Sequence, residues 1–307
     1  MLVTRPYLAV VLLLWAASLT WLVKTRIWPT LFTGSPPTYA ESLPSAPESS
    51  REVCWSILYE GQSIGQAYNR ITRHRDGTGF LSGIVQFEKL PVKRLMRDLL
   101  GPLGAIAAPR ILEGDESELN LAIRTDLGFD NYGQLHRFET SVDVRGIRGF
   151  VTVEGRVIDD LLHIVARAPA SDDPIELFRD QVQLPPAGLV ADTFSPRPHL
   201  AQLKVGQSWI IQSYRPFLPH SPLELIEATV EREEVIEWRG QIVRTMRVAY
   251  RRDAGSGLTT AREPVSQMWV RRDGEVLRHD VQLATVRMQF IRFPEGSCQP
   301  PAETTSR

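Results

Sequence analysis

The sequence predicts a mainly β protein. The expected architecture is a curved antiparallel sheet or sheets, or an open half-barrel, in one body or two similar lobes, with one short amphipathic helix and an N-terminal membrane helix. Three observations carry that prediction. Apolar residues recur with a period of two along much of the 307-residue chain. Residue-glycine pairs of the hairpin kind punctuate those runs. One long apolar run stands apart at the N terminus, ahead of a stretch rich in proline and serine.

Tyr7 to Val23 (YLAVVLLLWAASLTWLV) is almost unbroken apolar sequence, fenced by Arg5 on one side and by Lys24 and Arg26 on the other. At about 1.5 Å per residue it comes close to the hydrocarbon thickness of a bilayer. Small residues of the kind a signal peptidase needs, Ala16-Ala17-Ser18, lie inside the run and are followed by Leu19, Trp21, Leu22 and Val23. That arrangement favours a retained anchor over a cleaved signal. Residues 1–32 therefore read as a single-pass membrane anchor with its flanks, and the body behind it as extracytoplasmic or periplasmic. The flanking charges nearly balance and do not set the orientation. Residues 33–51 contain scarcely any large apolar side chain and read as a flexible spacer.

The first β block spans residues 52–183. Its clearest strand is 137–145, where Phe138, Thr140, Val142 and Val144 alternate with Arg137, Glu139, Ser141, Asp143 and Arg145. Turn chemistry appears at Glu60-Gly61, Asp76-Gly77, Arg145-Gly146 and Glu154-Gly155. One stretch, near 90–106, departs from the pattern: Val92, Leu95, Met96, Leu99 and Leu100 fall at helical spacing, opposite Lys93, Arg94, Arg97 and Asp98. A helix there would cover an open sheet face, and Leu95, Met96, Leu99 and Leu100 are the candidate lining of an apolar ligand site. Residues 184–203, interrupted by four prolines, read as a connection. The second block, 204–298, alternates at Met246, Val248 and Tyr250 and again at Val286, Met288 and Phe290, with turns at Arg239-Gly240 and Asp273-Gly274. The tail, 299–307, has spacer-like composition and should fray.

Three segments resemble uncharacterised exported bacterial β-sheet proteins. They are Tyr59-Glu60-Gly61-Gln62-Ser63-Ile64-Gly65, Leu203-Lys204-Val205-Gly206-Gln207-Ser208-Trp209 and Met268-Trp269-Val270-Arg271-Arg272-Asp273-Gly274. The resemblance implies an envelope protein with an incompletely closed sheet, similar in architecture to bacterial lipoprotein-carrier half-barrels. It transfers no catalytic residue. The anchor also sets this chain apart from carriers that shuttle freely.

Beyond residue 51 the chain carries 31 basic and 34 acidic residues, a balance that gives no electrostatic case for nucleic-acid binding. The two cysteines, Cys54 and Cys298, bracket the β region. They fit a disulfide clamping its ends, which needs an oxidising compartment, and they fit two unrelated thiols equally well. The six histidines, at 74, 136, 163, 199, 220 and 279, include no pair at metal-ligand spacing, so no metal or cofactor is expected. His163, between Leu162 and Ile164, reads as a partly buried strand residue. No nucleophile elbow or phosphate-binding loop occurs, and no catalytic residue is assigned. The expected role is non-catalytic binding or scaffolding of an envelope component, a lipid, another apolar ligand or a protein partner. The alternatives are an envelope hydrolase or transferase whose site is assembled only by folding, and a structural subunit of a membrane complex.

Overall fold

The computed structural model describes residues 5–23, 42–91, 118–144, 147–170, 173–183, 189–190, 196–214, 223–252, 263–283 and 286–298. One helix, α1 (Arg5–Leu22), occupies the N-terminal apolar run. It exposes Leu13, Leu14, Trp15 and Trp21. No helix among the described residues is long and apolar enough to cross a membrane.

The first meander consists of β1 (Ser50–Tyr59), β2 (Gln62–Arg73), β3 (Gly79–Pro91), β4 (Glu118–Phe129), β5 (Leu135–Val144), β6 (Ile147–Ile158), β7 (Leu161–Ala168) and β8 (Ile175–Gln183). The second consists of β9 (Leu189–Val190), β10 (Ser208–Tyr214), β11 (Leu223–Trp238), β12 (Gln241–Arg252), β13 (Ser266–Arg271), β14 (Val276–Leu283) and β15 (Val286–Arg292). All join one fifteen-stranded sheet in the order β8 to β1, then β15 back to β9. Every pair is antiparallel except β9 with β10. The two blocks read from the sequence are thus halves of one sheet, fused where β1 pairs with β15 from Trp55↔Arg292 to Tyr59↔Met288.

Turn chemistry sets the registers. Glu60-Gly61 and Arg239-Gly240 each hold two consecutive positive φ angles, 49° and 80° and then 53° and 78°, as the tight hairpin turn whose twist matches the strands requires. Around Gly77 and Gly274 the loop is one residue longer, closed by His74 N–H to Thr78 O at 2.9 Å and by Arg271 N–H to Glu275 O at 2.7 Å. Glu154-Gly155 is no turn: both residues lie within β6. Arg145-Gly146 lies outside the described residues.

An open sheet this wide would leave a whole face in water. Instead the inward residues of both halves, from Trp55 and Phe87 to Trp209 and Phe290, are nearly inaccessible and belong to one core cluster, so the sheet curls around its own apolar face. It does not close. β8 forms one edge, and the short β9 beside β10 forms the other. The outward face is held by cross-strand ion pairs such as Arg124–Asp143 at 2.6 Å and Arg247–Glu231 at 2.9 Å.

Two segments read as spacers pack against this sheet. Residues 196–203 cross the end where β1 begins and β15 finishes, burying Leu200 and Leu203 in the core. Leu200 N–H donates to Gly274 O at 2.8 Å and Val276 N–H to Pro198 O at 3.2 Å. Asn69 Nδ2 donates to Pro196 O, and Arg292 Nη1 to Pro198 O, both at 3.0 Å. Further upstream, buried Ser42 bonds to His199 O at 3.3 Å and Leu43 joins the core, while Glu48 N–H pairs with Arg73 O at 2.8 Å. The last part of the 33–51 stretch is therefore structured, and β1 starts inside it at Ser50. Residues 92–117, 215–222, 253–262 and 284–285 lie outside the described residues.

Candidate functional site

Of the residues singled out in the sequence, Leu95, Met96, Leu99 and Leu100 lie outside the described residues. The described part of β3 ends at Leu90 and Pro91, paired with Leu119 and Glu118, at the end of the sheet opposite the 196–203 strap. Cys54 and Cys298 are disulfide-bonded, with Cα atoms 5.3 Å apart, joining β1 to the chain just beyond β15. His163 is half-buried on the outward phase of β7. Among the described residues, no group of three or more His, Cys, Asp or Glu side chains is placed to hold a metal ion.

The structure assembles a site that sequence reading missed. On the concave face of the second half, Trp209 lies opposite Ala228, Ala228 opposite Tyr250 and Tyr250 opposite Ser266, one row across four strands. In the next row Met268 lies opposite His279, and His279 opposite Phe290. Ser266 Oγ and His279 Nε2 are diagonal neighbours 2.7 Å apart. The imidazole stacks on Phe290 with ring centroids 5.8 Å apart. Tyr250 Oη donates to the thioether of Met268 at 3.6 Å, a weak acceptor.

Burial decides the ionisation of this cluster. It drives the His279 pKa down to about 3, with the positive charge of Arg197 acting the same way, so the imidazole is neutral at physiological pH. Burial pushes Tyr250 up to about 12, against a smaller opposing pull from Arg197. Arg197 sits on the strap between Pro196 and Pro198, and its field reaches both side chains.

Hydrogen bonding on the inward face is incomplete in both halves. In the first, inward Asn69 reaches Pro196 O, and Thr125 bonds Thr140 at 3.3 Å. Around the Ser266–His279 cluster, His279 Nδ1 and Trp209 Nε1 are buried without a partner among the described residues, as is Trp55 Nε1 on β1. A buried polar atom left this way costs about 1–3 kcal/mol and asks for a physical reason.

A neutral imidazole beside a serine hydroxyl is half of a nucleophile and base arrangement. The other half is missing among the described residues. No carboxylate meets His279 Nδ1, and its chain neighbour Asp280 points to the opposite face, paired with Arg278. An imidazole with its pKa near 3 is also a weak base at neutral pH. A shallow groove on the first half, lined by Phe80, Asp126, Arg137, Glu139, Glu154 and Arg156, lies apart from this cluster.

A lone histidine in the inward phase of a strand, in step with Val281, was the signal available in the sequence. Its partner Ser266 comes from another strand, and only the register brings them together. No family model matches the chain, and no curated protein matches it. Among solved structures, a beta-barrel-like protein of domain of unknown function DUF1849 from Brucella abortus is similar over 81% of this chain and 98% of its own, with 8% sequence identity and a TM-score of 0.46.

Proposed function

We propose that this chain is a non-catalytic envelope protein that works outside the cytoplasm, held at a membrane by α1, and that its concave face binds an apolar ligand or scaffolds an apolar partner. One observation carries the reading: a curled sheet that keeps one face apolar across both halves and stops short of closing between β8 and β10. Curled sheets with an open edge and an apolar lining suit small apolar ligands. The Cys54–Cys298 bond supports an oxidising compartment. The exposed Leu13, Leu14, Trp15 and Trp21 of α1 support contact with lipid. The test is extraction of the full chain in mild detergent, followed by mass spectrometry of lipids and proteins that remain bound. A reproducible lipid or apolar ligand, in stoichiometric amount, is expected. A body carrying neither lipid nor protein after gentle purification would count against the reading.

One observation favours a second reading. Ser266 and His279 within 2.7 Å could support acyl transfer if a ligand completed the site. A fluorophosphonate probe would label Ser266 in that case, and Ser266→Ala would abolish labelling. Absence of labelling in the intact chain would remove the alternative.

A further inference from the structure

The strap across the end of the sheet carries a histidine whose two ring nitrogens are treated very differently. His199 Nε2 lies 3.0 Å from Asp273 O. A carbonyl oxygen only accepts, so Nε2 bears the ring proton and Nδ1 keeps a lone pair. That Nδ1 atom is buried, and no partner reaches it among the described residues. The ring is pressed against the turn between β13 and β14: a Cβ on Gly274, whose φ is +91°, would lie 2.6 Å from Nε2. Main-chain bonds hold the strap down on both sides of the ring, from Val276 N–H to Pro198 O at 3.2 Å and from Leu200 N–H to Gly274 O at 2.8 Å. Anchored in this way, the strap keeps Leu200 and Leu203 in the core.

This geometry suits the neutral ring alone. A second proton would go to Nδ1, making it a buried donor without an acceptor and placing a charge on a half-buried side chain. The nearby carboxylates are already matched: Glu275 binds Arg271 at 2.7 Å and Arg292 at 3.1 Å, and Asp273 binds Arg271 at 2.8 Å. Ser42, from the segment before β1, meets only the His199 carbonyl. Burial holds the imidazole below its ordinary range; the Asp273 carbonyl and the charges of Asp273 and Glu275 oppose this, and Arg51 on β1 adds to it. We propose that the 196–203 strap is an acid-released latch: uptake of a solvent proton at His199 Nδ1 lifts the strap from the β13–β14 turn, breaks its two main-chain bonds there and draws Leu200 and Leu203 out of the core. The β1–β15 ladder and the Cys54–Cys298 bond stay in place, so the opening is confined to one end of the sheet. The latch requires no ligand, and it would govern access to the interior where one is bound.

Amide hydrogen exchange of the full chain at pH 7.5 and pH 5 tests it, with rates corrected for the intrinsic effect of pH. Opening at the Leu200 and Val276 amides should rise several-fold at the lower pH. The ceiling is about thirtyfold, for a ring that stays neutral in the closed strap and titrates near 6.5 once released. His199→Gln keeps an N–H for Asp273 O and cannot take up the proton. It should remove that rise and leave β4 and β5 responding to pH as in the native chain, because the contribution of His279 is common to both proteins. An equal rise at Leu200 and Val276 in both proteins would overturn the latch. So would a loss of the rise that extends equally over β4 and β5, since His199 would then serve the whole fold and not the strap. Titration of the His199 ring by NMR in the histidine-labelled native chain needs no variant. A midpoint below 6.5 is expected, and one at or above that value would overturn the latch.

Discussion

Gly155 shows how a single residue can mislead from sequence and inform from structure. In the chain it follows Glu154 and has the form of a turn; in the fold it sits in the inward phase of β6, covered by the ring of Phe138. A Cβ there would lie 2.0 Å from that ring. Glycine inside a strand often marks such a close approach. Gly155→Ala should therefore destabilise by about 1–3 kcal/mol through overpacking, read as a lower midpoint in urea with an unchanged slope. His279 was equally hidden, because nothing in its local sequence announces Ser266 as partner. Its ionisation yields a second prediction. The folded chain holds the imidazole neutral down to about pH 3, while the unfolded chain takes up a proton near the ordinary value of 6.5. Between those values the unfolded state binds more protons, so stability is complete above pH 6.5 and falls as the pH drops towards 3. Going from pH 7 to pH 5 should cost about 2 kcal/mol through this residue. Chemical denaturation at both pH values should show that loss in the native chain and a smaller one in His279→Leu. An equal loss in both would remove the assignment.

At the scale of elements, hairpins were the most legible feature. Alternation at Phe138, Thr140, Val142 and Val144 and at Met288 and Phe290 became inward faces of β5 and β15, because period two leaves little freedom once one face is buried. The strap at 196–203 was not legible. Its prolines read as a linker, yet proline lacks only the donor, and the carbonyls of Pro196 and Pro198 are what Asn69 and Arg292 bind. Asn69 is fully buried, so Asn69→Leu leaves the Pro196 carbonyl without that donor and should cost about 1–3 kcal/mol. Hydrogen exchange should show faster opening of the Leu200 and Val276 amides in that variant, with β4 and β5 unchanged. Uniform acceleration throughout would mean that the strap has no local role.

For the whole molecule, two blocks of strands could be read from sequence, but their fusion could not. The pairing of β1 with β15 joins residues more than two hundred positions apart, and no local pattern encodes it. Because both halves meet there and at the disulfide, a cut in the connection between β8 and β9 should leave the molecule intact. A protease site placed at residues 184–188 tests this. The nicked chain should run as one species on non-reducing denaturing gels and as two fragments once reduced. On native gels it should stay together even with thiols reduced, held by the β1–β15 ladder and the strap. Separation on reduction alone would show that the bond, and not the sheet, unites the halves. In the uncut protein, reducing Cys54–Cys298 should lower stability by about 3–5 kcal/mol, visible as a drop in melting temperature.

That single distant pairing also sets the order in which the chain can assemble. Nearly every other ladder joins sequence neighbours, and such hairpins zip within microseconds. Only β1 and β15 must find one another across the whole length, at a closure entropy of about 5 kcal/mol for a loop of this size. Meeting of the chain's two ends is therefore the slow event in folding. An oxidised chain, whose ends are already held together, should refold much faster than a reduced one, with the difference removed when both cysteines are replaced by serine.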